Sequence, residues 1–156
     1  MRASRDWARA LALVVAVVAA DQATKALVGG EVDRGDHVDL ALGFQLVNVR
    51  NQGIAFGFLD DGGDLVLIVT LVALAILGVW FVLSPRRPGL WIAVGLLVGG
   101  ALGNLIDRLG EDGVTDFFDP PLWPAFNLAD VAITVGVLVL VGIAFMHDGS
   151  PDADEP

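Results

Sequence analysis

LWIAVGLLVGGALGNLIDRL, residues 90–109, carries no charge until Asp107. A helix rises ~1.5 Å per residue, so about 20 apolar residues cross the ~30 Å hydrocarbon core of a bilayer. Three more stretches match this one. They are residues 7–28, wholly apolar over 11–20; residues 65–83, with no charge inside; and residues 125–146, charge-free after Asp130. The composition agrees. The chain has 156 residues, 55% hydrophobic and only 18% charged, where a soluble domain carries about 25% charge. Its mean hydropathy is +0.70. The expected fold is a mainly α integral membrane protein, a four-transmembrane-helix bundle in one domain over residues 1–147. Residues 148–156, rich in Pro, Asp and Gly, read as a disordered acidic tail.

The first span has a second reading. Arg2, Arg5 and Arg9, an apolar run and then Val18-Ala19-Ala20 have the layout of a cleavable signal peptide. Cleavage would discard the run to which Asp21 and Lys25 are attached, so retention as an anchor is expected. The Lys/Arg bias of short loops sets orientation. Arg2, Arg5 and Arg9 precede span one, and Arg86 and Arg87 separate spans two and three. Both segments, and with them both termini, are expected on the cytoplasmic side. The loop 29–64 and the loop 110–124 then face outward. Trp7, Trp80, Trp91 and Trp123 lie near span ends, as an interfacial belt would.

In the first outer loop Val38, Leu40, Leu42, Phe44 and Leu46 alternate with other residues. That is a strand with one apolar face, and it predicts a small extracytoplasmic β-sheet platform within this loop, resting on the membrane surface. Asn51-Gln52-Gly53 reads as a turn after it.

Residue types narrow the chemistry. There is no Cys, which excludes disulfides, thiolate nucleophiles and Cys-ligated metals. The two His, His37 and His147, are far apart, and neither a metal site nor a cofactor is expected. Net charge is −10 and Lys25 is the only Lys, so a nucleic-acid footprint is absent. Any acid–base or hydrolytic chemistry must rest on Asp, Glu, Lys, Ser or Thr.

Ionisable residues beside a span need a reason, and the orientation puts five polar clusters on the outer side. Asp21 and Lys25, four apart, can pair on one helix face. Asn48, Asn51 and Gly53 form an Asn/Gly turn. Gly99, Gly100 and Gly103 allow close helix packing, and Asn104, Asp107 and Arg108 follow, with an Asp–Arg pair at the membrane edge. Asp116 is a loop carboxylate between apolar neighbours, which implies partial burial. Asn127 and Asp130 open span four, where Asn127 suits an N-cap and Asp130 the reciprocal capping position. Each cluster alone is as readily structural. Together they bring carboxylates to one low-dielectric surface, where two acids share a proton. The ionised member activates water and the protonated member donates to the carbonyl under attack. The helix start favours ionised Asp130, which leaves Asp116 as the acid, although the roles can exchange.

At these residues the chain resembles the lipoprotein signal peptidases, signal peptidase II. The matching segments are Asp21-Gln22-Ala23-Thr24-Lys25, Asn51-Gln52-Gly53-Ile54-Ala55-Phe56-Gly57, Gly99 through Arg108, Val114-Thr115-Asp116-Phe117 and Phe126-Asn127-Leu128-Ala129-Asp130. The resemblance implies a bacterial inner-membrane aspartyl endopeptidase that cuts diacylglyceryl-modified prolipoproteins before the lipidated cysteine. It implies Asp116 and Asp130 as the catalytic pair. Asp21, Lys25, Asn51, Gly53, Asn104, Asp107, Arg108, Asn127 and Ala129 take supporting or substrate-binding positions. It also implies inhibition by globomycin-type peptides, contact with membrane lipids and a monomer. Ile54, where the family usually has Ala, and the acidic tail depart from the pattern. The rival readings are a proton-coupled carrier using Asp21, Asp107 and Asp130, and a non-catalytic assembly factor.

Overall fold

The computed structural model describes residues 2–52, 79, 88–110 and 113–148. The expected second span at 65–83 and the acidic tail beyond residue 148 lie outside the described residues, as do Gly53 and Ile54. Three helices are described: α1 (Arg2–Glu31), α2 (Leu90–Gly110) and α3 (Leu128–Asp148). Each is long and apolar enough to cross a membrane. Helix α1 continues past the expected end of its span, because no breaker intervenes before the Gly29-Gly30 pair and Gly35. At ~1.5 Å per residue its 30 residues outreach the ~30 Å hydrocarbon core. Helix α3 begins three residues later than the 125–146 pattern suggests. Phe126 there bridges to Phe118 in the sheet instead of joining the helix.

Helix α2 is the centre. More than half of its apolar stretch is buried inside the protein, against under a quarter for α1 and α3. Its small residues explain this. A Cβ on Gly99 would lie 2.8 Å from Val17 of α1, and one on Gly100 would lie 2.5 Å from the Ala129 carbonyl oxygen of α3. Such close backbone approach is what Gly provides in membrane helices. The neighbours also fix direction. Ala10 packs with Leu90, Leu13 meets Gly95, Val17 meets Gly99 and Asp21 meets Gly103, so α1 and α2 run parallel. Ala129 meets Gly100 and Leu97 meets Gly136, so α3 runs antiparallel to α2. At the other end the Arg9 guanidinium lies 5.8 Å from the Trp91 ring.

The polar end is roofed by a three-stranded antiparallel sheet in the order β1-β2-β3, made of β1 (His37–Asp39), β2 (Gln45–Asn51) and β3 (Val114–Asp119). Two expectations change. The alternating run is not one strand but a hairpin, with a short 3-10 turn over Ala41–Gly43. Leu42 and Gly43 both take positive φ there, which reverses the chain. Parity survives the turn, because Val38 pairs with Leu46 and the even residues share a face across both arms. The sheet is also not confined to the first outer loop, since β3 comes from the second. Asn51 is the last residue of β2, paired with Val114, and not part of a turn. Between Leu46 and Val49 the pairing with β3 slips by one residue. Such a bulge bends a strand and re-aims side chains, and this one lies beside the Val49–Asp116 pair.

The α2–α3 contact gives a prediction. Gly100→Val must displace the Ala129 backbone and should destabilise the protein in detergent by about 1–3 kcal/mol, read as a lower Tm. Gly110→Ala, where a Cβ meets nothing within 4 Å, should leave Tm near wild type. Thermal unfolding of the two variants checks this.

Candidate active site

Asp116 lies on β3 and is 2% exposed. Each of its oxygens accepts one side-chain amide, Oδ1 from Asn127 Nδ2 at 2.7 Å and Oδ2 from Asn51 Nδ2 at 3.0 Å. Burial pushes its carboxyl up to about 6, with the Asp130 charge adding to the effect. The amides of Asn51 and Asn127 and the Lys25 charge oppose it.

Asp130 lies in the first turn of α3. Its backbone N–H donates to Asn127 Oδ1 at 3.0 Å, and its Oδ2 accepts the Asn127 N–H at 3.2 Å. This is the reciprocal capping box expected from sequence. Its other oxygen, Oδ1, accepts Asn104 Nδ2 from α2 at 2.8 Å. The cap and the candidate acid are therefore the same side chain, and one reading does not displace the other.

Asn127 joins the two acids. It is 1% exposed, and its amide nitrogen donates both to Asp116 and to Asn104 Oδ1, the latter at 3.1 Å. Asp116 and Asp130 thus share Asn127 as an immediate partner, through its side chain and its backbone.

Behind them lies a buried ion cluster. Lys25 Nζ is 2.7 Å from Asp21 Oδ2, 2.9 Å from Asp107 Oδ2 and 3.2 Å from Asn104 Oδ1. All four side chains are buried. The i, i+4 pair expected within α1 is present, but Lys25 also reaches across to α2. The expected Asp107–Arg108 pair is not what Asp107 makes. Successive helix residues point apart, and Asp107 turns toward α1 while Arg108 reaches the Asn104 carbonyl at 3.5 Å. The Arg108 charge still acts on Asp130, Asp116 and Asp107. Ala129 contributes its backbone N–H, which donates to Asp21 Oδ1 at 2.9 Å. Its methyl sits 3.4 Å from where a Cβ on Gly103 would be, so both positions must stay small.

The structure therefore gathers Asp21, Lys25, Asn51, Asn104, Asp107, Asp116, Asn127, Ala129 and Asp130 into one network, with Arg108 beside it. Three residues were not singled out from sequence. Gln22 donates to Asp107 Oδ1 at 2.8 Å, the Thr115 N–H donates to Asp107 Oδ2 at 2.9 Å, and Arg50 donates to the Thr115 hydroxyl. Gln22 lies three residues before Lys25 on the same helix face, but a neutral amide lacks the charge that drew attention to Asp21 and Lys25. Among the described residues no group of three or more His, Cys, Asp or Glu side chains is arranged to hold a metal ion.

A family model described as signal peptidase (SPase) II matches residues 13–146. The lipoprotein signal peptidase of Nitratidesulfovibrio vulgaris (strain DP4) is 40% identical over 152 residues, covering 91% of this chain and 92% of that protein. The lipoprotein signal peptidase of Pelotomaculum thermopropionicum is 43% identical over 130 residues, covering 82% and 86%. A solved structure of a bacterial membrane enzyme superposes with a TM-score of 0.78 at 32% identity, covering 94% of this chain and 93% of the other. The chain belongs to the signal peptidase II family. It is a peptidase and an integral membrane protein.

The raised carboxyl of Asp116 can be titrated directly. Its protonated C=O band in infrared difference spectra should disappear with a midpoint near about 6. Asn51→Leu removes an amide that favours the charged form, so the midpoint should move upward. The sign for stability is that of a carboxylate with a raised pKa. Its contribution is present below the ordinary carboxylate range and is lost as pH rises through about 6.

Proposed function

We propose that this member of the signal peptidase II family is an aspartyl endopeptidase that removes signal peptides from diacylglyceryl-modified bacterial prolipoproteins. It cuts before the lipidated cysteine, with Asp116 and Asp130 as the catalytic pair. Relatives named lipoprotein signal peptidases, similar over most of this chain, support the substrate class. The observation that carries the chemistry is the joining of two acids through Asn127, one of them buried with its carboxyl raised to about 6.

In the proposed reaction a water lies between the two carboxylates. Asp130, in the first turn of α3 where the helix dipole favours negative charge, acts as the ionised acceptor and takes a proton as the water oxygen bonds to the scissile carbonyl carbon. Asp116, protonated, donates to the carbonyl oxygen. Collapse of the tetrahedral intermediate breaks the C–N bond. The departing nitrogen takes the proton held by Asp130, and the carbonyl re-forms as its proton returns to Asp116. Asn51, Asn104 and Asn127 orient the acids. Arg108 and Gly53 serve the substrate side, and Asp21, Lys25, Asp107 and Ala129 hold the frame.

The proposal extends to architecture. The apolar, charge-free run at 65–83 supports a fourth crossing, with one domain over 1–147. The arginines before α1 and between the second and third spans support cytoplasmic termini, which puts the dyad on the extracytoplasmic side of the bacterial inner membrane. Leu42, Leu122 and Trp123, all exposed around the sheet's turns, fit a platform that rests on the bilayer among its lipids. The enzyme acts as a monomer and is inhibited by globomycin-type peptides.

Purified enzyme in detergent, given a diacylglyceryl-modified prolipoprotein, should release the signal peptide. Asp116→Asn and Asp130→Asn should each lose roughly 10³-fold or more in kcat while staying folded, with a stability loss of about 1–3 kcal/mol for the one accepted hydrogen bond each forfeits. Wild-type rates in both variants would reject the dyad. Proton movement in vesicles without cleavage would favour a carrier.

A further inference from the structure

Asp107 and Asp21 do the same thing on opposite sides of the site. Asp107 Oδ2 accepts the backbone N–H of Thr115, the residue before Asp116. Asp21 Oδ1 accepts the backbone N–H of Ala129, the residue before Asp130. Each candidate acid thus follows directly on a residue whose backbone N–H is anchored to one buried carboxylate. The spacing of Asp21 and Asp107 therefore bears on the spacing of the two acids, alongside the amides of Asn127 and Asn104 that join them.

Two side chains of α1 make that link. Lys25 Nζ bridges Asp21 Oδ2 and Asp107 Oδ2. Gln22 Nε2 donates to Asp107 Oδ1 at 2.8 Å and reaches the Gly103 carbonyl at 3.2 Å and Asp21 Oδ2 at 3.3 Å. Its amide has two hydrogens. One serves Asp107, and the other is shared by the two longer contacts. Lys25 balances charge, and any cation there would attract both carboxylates. Gln22 adds direction, since its amide nitrogen donates to both Asp107 and the Gly103 carbonyl of α2 and so ties α1 to α2.

We propose that Gln22 is a positioning residue for the reaction, which together with Lys25 clamps Asp21 to Asp107 and thereby fixes the separation of Asp116 and Asp130. The inference rests on the dyad reading above. Gln22 touches neither acid and acts only through the peptide units of Thr115 and Ala129. The charged groups facing it are Asp21 and Lys25 of α1 and Asp107 of α2.

The test is Gln22→Met, which keeps the Lys25 ion pairs and the side-chain length. A misplacement of about 1 Å far from the chemistry costs on the order of 10²-fold. The variant should therefore lose roughly tenfold to a hundredfold in kcat with KM unchanged. The two apparent pKa values of its kcat/KM profile should also draw together, because the acids interact less when they part. Unchanged kcat with a lower Tm, or a loss of kcat with an unshifted profile, would overturn the proposal. Gln22→Glu is the second variant, should Gln22→Met not fold. Its ionised form repels Asp107, whereas its protonated form has one O–H with which to restore the bond to Asp107. Its kcat relative to wild type should therefore climb as pH falls, and a flat ratio would overturn the proposal. Failure of the dyad reading is recognised separately, by activity surviving in Asp116→Asn and Asp130→Asn.

Discussion

One buried ammonium holds the polar end of this protein together. Lys25 is the only lysine in the chain, and it lies between Asp21 and Asp107 with almost no exposure. Removing one partner of a buried pair leaves an uncompensated charge and costs about 3–5 kcal/mol. Here the cost would spread, because the two carboxylates it neutralises are themselves acceptors for the backbone on either side of the site. Through them α1, α2, β3 and the start of α3 meet at one point. The glycines of α2 make that meeting possible. Gly103 lies between Asp21 and Ala129, where a Cβ would stand 2.6 Å from a carboxylate oxygen.

The same frame keeps one carboxylate in an environment that does not suit its charge. Asp116 is as buried as the core residues around it, and its proton is held up to about 6. Folding alone would favour an uncharged side chain there. Amides from three elements instead surround the two acids, Asn51 from β2, Asn104 from α2 and Asn127 before α3. Amides orient a carboxyl in either protonation state, since they supply hydrogen bonds without a full charge. A cation in their place would hold both acids ionised and remove the asymmetry that acid–base catalysis needs.

How much of this was legible differs by element. Helix α2 matches its pattern almost residue for residue, because an apolar run that is charge-free until Asp107 and bounded by Gly89 and Gly110 leaves little freedom. The extension of α1 was not legible, since hydropathy marks where a span ends and not where a helix does. The hairpin was read as one strand because its alternation runs unbroken through the turn, and only backbone angles at Leu42 and Gly43 reveal the reversal. Strand β3 exists because β2 pairs with it across a long sequence gap, and its own residues lack a clean alternation. In the site, Asn127 and Asp130 were legible as a cap and Asp21 with Lys25 as a local pair. Spacing carries only such local relations. The reach of Lys25 and Gln22 to Asp107, and of Asn104 to Asp130, is set by helix packing, and no motif of one segment contains it.

The central claim is that Asp116 and Asp130 act on one water. A high-resolution experimental structure in lipid, with the water positions resolved, tests it most directly. The account predicts a single ordered water within about 2.6–3.2 Å of an oxygen of each carboxylate, in a space open to a substrate carbonyl. Two carboxylates that face different compartments, or that are sealed from each other by their own amides with no shared water, would contradict it.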